Sequence, residues 1–481
     1  MMTGRPAVSR GFFQKLLLSS AAALAIAPVA RAEDWTGGTS TDWFDSNNWN
    51  PASVPTGGTA ITQIDTTTNA PIIDGAAANA GALLYVGNTG DGALTIQNGG
   101  TLTNTTSEIA AQGGSTGTVT VTGASSSWTT TGDMDVAAGG VGSLTVSAGG
   151  HVGVGSDLVV AFNGGANGTL LVTGAGTTLN TTNFLEIGRN LGTNGAMTVS
   201  DGAAVTASQG YLGVNAGSNG TATIDGAGSS WTIATSLDVA NTGNGTLNIT
   251  NGGLVSSDTG YVGRHVGGAG TANISGAGST WSMASTLFVG NSGTGAINIT
   301  SGGLVQDASA ILGVDAGASG TVSVNGGTWT NSGALTIGAA GVGDLSVSGG
   351  GAVTNTTAVL GDSAGSSGTA LVTGAGSTWT SSSTLIVGNS GAGGLNIESG
   401  GAVQNTLGFV GVNAGSTGIV SVDGGTWTNT GTLSIGLAGD GSLTIQNGGV
   451  VSDTAGTKIG LSARRNQELS WSPAGEYCVD Q

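Results

Sequence analysis

Charge is scarce in this sequence, and cysteine, proline, histidine and aromatic rings are scarce with it. Charged residues are 7% of the 481 positions, where ~25% is ordinary, which argues against a common mixed α/β enzyme or a helical bundle. The single cysteine, Cys478, leaves no internal disulfide, so stability rests on packing and backbone pairing. The only histidines, His151 and His265, lie far apart, and no Cys/His constellation exists for zinc. Proline is missing between Pro71 and Pro473, as expected where nearly every backbone N–H joins a ladder.

Glycine fills the space the others vacate, with 94 residues against a usual ~7%. The hydrophobic fraction is 38%, low but strongly periodic.

The first 32 residues read as a secretory signal peptide. Arg5, Arg10 and Lys15 form a basic start, an apolar run follows from Leu16 to Ala27, and Ala30-Arg31-Ala32 satisfies the small-x-small rule for cleavage before Glu33. The apolar run is too short to span a membrane, and Pro28 interrupts it. After cleavage, 27 acidic residues face only Arg189, Arg264, Lys458, Arg464 and Arg465, a net charge of −22. That sign opposes binding to nucleic acid or anionic lipid.

Internal repetition dominates the rest. Trp128, Trp231, Trp281, Trp329, Trp379 and Trp427 recur in one context, with Leu179 in the equivalent slot between the first two. Each repeat of about 50 residues divides into two similar halves. Each half holds a short apolar strand ending in glycine, a Gly/Asn/Ser turn, an alternating strand, a Gly-Gly step and a third short strand. The strand-ending glycine or its alanine substitute runs through Gly87, Ala111, Ala137, Ala161, Gly188 and Gly213 to Gly460, advancing about 25 residues per step. Alternation such as Leu247-Asn248-Ile249-Thr250 marks half-buried strands.

These features predict an all-β fold, a right-handed parallel β-helix of about 15–16 coils spaced ~4.8 Å apart, hence a rod of about 70 Å. Residues 33–82, rich in tryptophan, read as an N-terminal cap, 83–461 as the solenoid, and 462–481 as an atypical tail. The Trp slot is expected to form a ladder alternating with smaller Leu and Val. Asn88, Asn190, Asn215 and their equivalents follow the strand-ending glycine and are expected to take left-handed conformations and stack. A kelch-type propeller shares the period, but the clean halving of the repeat opposes it.

The segments Val372-Thr373-Gly374-Ala375-Gly376-Ser377-Thr378-Trp379, Val387-Gly388-Asn389-Ser390-Gly391 and Leu395-Asn396-Ile397-Glu398-Ser399-Gly400-Gly401 resemble the type V secretion/PEP-CTERM-associated repeat of autotransporter passengers. The stretch Asp34-Trp35-Thr36-Gly37-Gly38, with Trp43, Asn48-Trp49 and Pro55, is similar to the segment that precedes such passengers. The resemblance covers residues 33–461. It implies a Gram-negative surface or secreted protein, adhesin-like, with no catalytic residues in the repeats. An autotransporter also needs a membrane β-barrel, and only twenty residues follow Leu461. Either a barrel is missing through truncation or frame-shift, or the tail is the small cap of a complete secreted protein.

Catalysis, metal and cofactor are weighed and set aside. Asp133 and Asp135 share a strand face but have no basic partner nearby in sequence. Asp91, Asp344 and Asp440 recur too rarely for a calcium roll. Arg189 and Arg264 read as lone, solvated turn charges. Trp35, Trp43 and Trp49 are either an aromatic platform for a glycan or the packing of the cap. The resulting expectation is a non-enzymatic exported solenoid at the cell surface or outer membrane, or in the medium, with the periplasm as a further location. It would act as a monomer on host or matrix glycans or proteins, without nucleic acid, membrane span or cofactor. The alternative is a β-helix that binds or degrades polysaccharide.

Overall fold

A computed structural model describes residues 32–459 and, in the tail, the backbone of two short strands, Ser470–Trp471 and Glu476–Cys478. Ala30, with the rest of the signal segment up to Arg31, lies outside the described residues, as does most of the tail.

The chain folds as a parallel β-solenoid. Each coil supplies three strands, and one coil shows the pattern. Its seven-residue strand Thr294–Thr300 turns through Ser301-Gly302-Gly303 into Leu304–Asp307, and Ser309–Leu312 follows. The chain then enters Ser319–Asn325 of the next coil, which pairs in register with the first strand, Ile297 beside Val322 and Ile299 beside Val324. The long strands build one parallel sheet of 16 strands, from Ile72–Asp74 to Asp440–Gln446. The short strands stack as two further parallel columns, merging into one strand in Ala352–Leu360, Thr378–Val387 and Ala402–Val410. The three-residue 3-10 turn Ser46–Asn48 is the only helix among the described residues, and none there is long and apolar enough to cross a membrane.

The alternation in sequence becomes alternation in burial. Ile297, Ile299, Val305, Ala310 and Leu312 point into the rod while their neighbours face out. One continuous hydrophobic core therefore runs from Trp35 to Val451, with a small separate cluster of Ala137, Ala161 and Ala166. In every coil from Gly92 to Gly441 the second residue of the long strand is a buried glycine. Its φ is ordinary, so the reason is space. A Cβ on Gly220 would lie 2.0 Å from the Ile187 carbonyl oxygen and 2.4 Å from the Gly213 nitrogen, inside any tolerable contact.

Three details differ from the sequence reading. The left-handed residue of the second repeated turn is Ala110 (φ 52°), not Ala111. The Asn after the strand-ending glycine is not left-handed. That conformation belongs to the glycine itself and to the first residue of the X-Gly-Gly turn, as at Asn98, Asn251 and Asn447. The boundary at residue 83 also dissolves. Ala32–Trp35 pairs parallel with Ile61–Ile64, which pairs with Leu83–Val86, so the Trp-rich segment is the first part of the solenoid.

Candidate interaction surface

The N-terminal tryptophans do not form a platform. Trp35, Trp43 and Trp49 are 4%, 0% and 3% exposed, and Trp49 stands edge-on to both of the others at centroid distances of 4.9 and 4.8 Å. Trp49 Nε1 donates to the Trp43 carbonyl at 2.8 Å, and Trp35 Nε1 to the Asn69 carbonyl at 3.2 Å. A sugar needs an open ring face, and these rings are spent on one another and on the first coils. Ala32 opens the first strand, and Glu33 beside it is buried.

The repeated tryptophans are interior as well. Trp128, Trp231, Trp281, Trp329, Trp379 and Trp427 are all fully buried. They sit in register with small partners, as in the run Trp281, Val305, Trp329, Val353, Trp379. Large and small residues thus alternate up one column, and Leu179 takes a Trp slot between Val152 and Val205.

Two residues further along the same strands lies an inner polar column that sequence reasoning missed. Asn104, Asp307, Asn355 and Asn405 point inward and accept from the indole Nε1 of Trp128, Trp329, Trp379 and Trp427 at 2.8, 2.6, 2.8 and 2.7 Å. Each acceptor belongs to the coil before its tryptophan. At Trp231 and Trp281 the matching residues are Ala207 and Ser257, and both indole N–H groups are buried without a partner. The signal was present in Trp427-Thr428-Asn429 and Val305-Gln306-Asp307, where strand parity points the third residue inward.

Outside, one face differs from the rest. On the third strand of each coil, the residues of outward parity in register are Tyr85, Glu108, Asp135, Val159, Glu186, Tyr211, Asp238, Tyr261, Phe288 and Ile311, of which Val159, Glu186 and Asp238 are themselves buried. Phe184, Phe409 and, at the adjoining turn, Phe162 lie on the same side. Among the side chains described, every tyrosine and every phenylalanine except Phe44 belongs to this stripe or its edge. Tryptophan fills the interior; tyrosine and phenylalanine mark one exterior face.

The two turn arginines are part of it, and they are neither lone nor merely solvated. Arg264 Nη1 meets Asp238 Oδ2 at 2.5 Å, and its guanidinium lies 4.3 Å above the Tyr261 ring. Tyr261 in turn stacks on Phe288 at 4.9 Å with an interplanar angle of 11°. Arg189 Nε pairs with Glu186 at 3.0 Å and covers Phe162 at 4.9 Å. Sequence separation hid the Arg264–Asp238 pair, which bridges a whole coil, whereas Glu186 and Arg189 are three residues apart across a turn.

Burial shapes the acids of the stripe. It pushes the Asp135 carboxyl up to about 7, with the neighbouring Glu108 charge adding to the rise. It raises Glu108 as well. Asp238 is also raised by burial, against the pull of Arg264.

No protein-family model and no curated protein matches the chain. Among solved structures, the crystal structure of a TibC-catalysed hyper-glycosylated TibA fragment aligns over 80% of this chain and 99% of its own, at 19% identity and a TM-score of 0.38. A likeness at that score carries no functional reading. The family resemblance therefore stays with the repeat residues that suggested it.

The remaining candidates are dispersed. Asp133 is exposed and accepts from the Asp157 N–H at 3.2 Å, while Asp135 lies in the stripe. Asp91 accepts from Thr116 at 2.6 Å and Asp344 accepts from Thr369, one coil on in each case. His151 bonds Thr178 at 2.8 Å and His265 is exposed at a turn. The expected Asn stacking occurs in part, with Asn215 donating to Asn190 at 2.8 Å and Asn413 to Asn389 at 3.2 Å.

Proposed function

We propose that this protein is an exported, non-enzymatic β-solenoid of the autotransporter-passenger kind, acting as a stiff structural and adhesive element. The observation behind this reading is the unbroken stack of coils. Strand follows strand through one core, and among the described residues no coil carries an inserted loop large enough to wall a catalytic cleft. Contacts repeated coil by coil give avidity without a single strong site. The partners we expect are surface or matrix glycans.

Surface labelling of intact cells, paired with binding of the purified chain to cells and matrix, tests the reading. Accessible protein that adheres without consuming polysaccharide is the expected result. Turnover of a polysaccharide, or residence in the cytoplasm, overturns it.

A further inference from the structure

We propose that the outer face of the 16-stranded sheet, over the six coils from Thr116 to Thr250, binds the surface of ice. The inference needs only the fold and goes beyond the adhesive reading above.

The face is an array of short, mostly hydroxyl-bearing side chains held in register. The third residue of each long strand gives the column Thr118, Ser143, Thr169, Ala196, Thr221 and Thr246, and every step pairs without a shift. Two residues further along the same strands stand Thr120, Thr145, Thr198 and Thr223, with Leu171 as the one large apolar interruption. Neighbours within a column are ~4.8 Å apart, and the two columns are ~6.6 Å apart.

That metric selects the partner. Water joined tetrahedrally by O–H···O bonds of ~2.75 Å repeats at about 4.5 Å in one direction and about 7.3 Å at right angles to it. The protein array agrees with both repeats to about a tenth. Hydroxyls on successive coils can therefore occupy oxygen positions of one lattice, with threonine methyls lying between them. A sugar would need an open ring to stack on, and these six strands contain no aromatic residue.

Charge and hydrogen bonding point the same way. A lattice of neutral water has no place for a hydrated ion. From Glu33 onwards the chain carries a net charge of −22, yet the six strands hold one charged residue, Asp225, at the end of its strand. The first outward column satisfies itself, with Asn194 donating to Asn167 at 3.1 Å and Asn219 to Asn194 at 3.0 Å. Thr120, Thr145, Thr198, Thr221 and Thr246 make no side-chain hydrogen bond among the described residues, so their hydroxyls are left to water. Between the first and second outward columns a trough of about 450 Å³ crosses five coils, lined by backbone at Gly117, Gly142, Gly168 and Gly195. It can hold a file of waters bridging the two columns.

The test grows ice slowly from a dilute solution of the full chain and measures the protein taken into the solid, with serum albumin as the excluded control. The parent is expected to enter the ice and to slow its recrystallisation. Thr221→Lys/Thr246→Lys, an outward pair on adjacent coils, should fall to the level of albumin. Thr206→Lys/Thr232→Lys adds the same charge to another face, also on adjacent coils, and should enter as the parent does. Melting curves check that both fold. Thr221→Ser/Thr246→Ser keeps the hydroxyls, removes only the methyls, and should lower uptake with an unchanged melting temperature. Exclusion of the parent from ice overturns the proposal, whatever the chain adheres to. Equal loss in the two lysine pairs, or full uptake of the serine pair, overturns the assignment to this face.

Discussion

Trp329 Nε1 donates to Asp307 Oδ2 at 2.6 Å, reaching from one coil back to the previous one in the interior of the rod. Asp307 is 5% exposed, and its other carboxylate oxygen has no partner. Burial raises its pKa from 3.8 to about 7, against the pull of the indole bond. The native state thus holds a proton that the unfolded chain has already released above its own pKa of 3.8. Stability from this group is fully present below that value, falls as pH rises towards about 7, and is flat beyond. The fall is on the order of 4 kcal/mol. Asp307→Asn should keep the acceptor for Trp329 and remove this slope, so the variant outlasts the parent in urea at pH 8 and loses that advantage near pH 4. Equal pH slopes for the two proteins would refute the assignment.

The tryptophans divide into two groups by their hydrogen bonds. Trp379 donates to Asn355 at 2.8 Å, while Trp281 has no acceptor. Trp281→Phe removes an unsatisfied N–H, whereas Trp379→Phe strips Asn355 of a donor. The Trp379 change should cost about 1–2 kcal/mol more. Chemical denaturation of the two variants checks the difference; equal losses would mean the indole bonds carry nothing.

Gly220 is a position where even one methyl is too many. Its added Cβ would meet the Ile187 carbonyl oxygen at 2.0 Å. Gly220→Ala should cost about 3 kcal/mol, while Gly394→Ala, on the outward side of the same kind of strand, meets nothing nearer than 3.6 Å and should be near neutral. Paired melting curves decide.

Trypsin offers a test of the Arg264 pair. Between Glu33 and Lys458 the sequence gives trypsin only Arg189 and Arg264, both held by carboxylates. Limited digestion should leave that whole span intact. In Asp238→Ala the Arg264 turn loses its anchor and cleavage there should yield two bands. Cutting of the parent at Arg264 at the same rate would show that the pair does not protect the turn.

The coil and its period were legible because they are local. Leu247-Asn248-Ile249-Thr250 states its own parity, and the recurrence of tryptophan from Trp128 to Trp427 announces a repeat of two coils. Asp307 and Asn355 were not read as interior, because polar residues in a strand suggest a solvated face, although parity pointed them inward. The stripe was out of reach for another reason. Tyr211, Asp238 and Tyr261 are neighbours only once the register is fixed, and no window of sequence contains them as a group. Trp35, Trp43 and Trp49 left two readings open, and only the pairing and packing of the folded chain show that the three rings are buried on one another.

The alternation of Trp281, Val305 and Trp329 up one interior column also governs how such a molecule changes length. Deleting the coil of Val305 would set indole directly on indole, and deleting the coil of Trp329 would set valine on valine, in a space shaped for one large and one small side chain. Deleting two restores the sequence of volumes. The rod is therefore quantised in pairs of coils, and its natural unit of growth is the doublet rather than the turn.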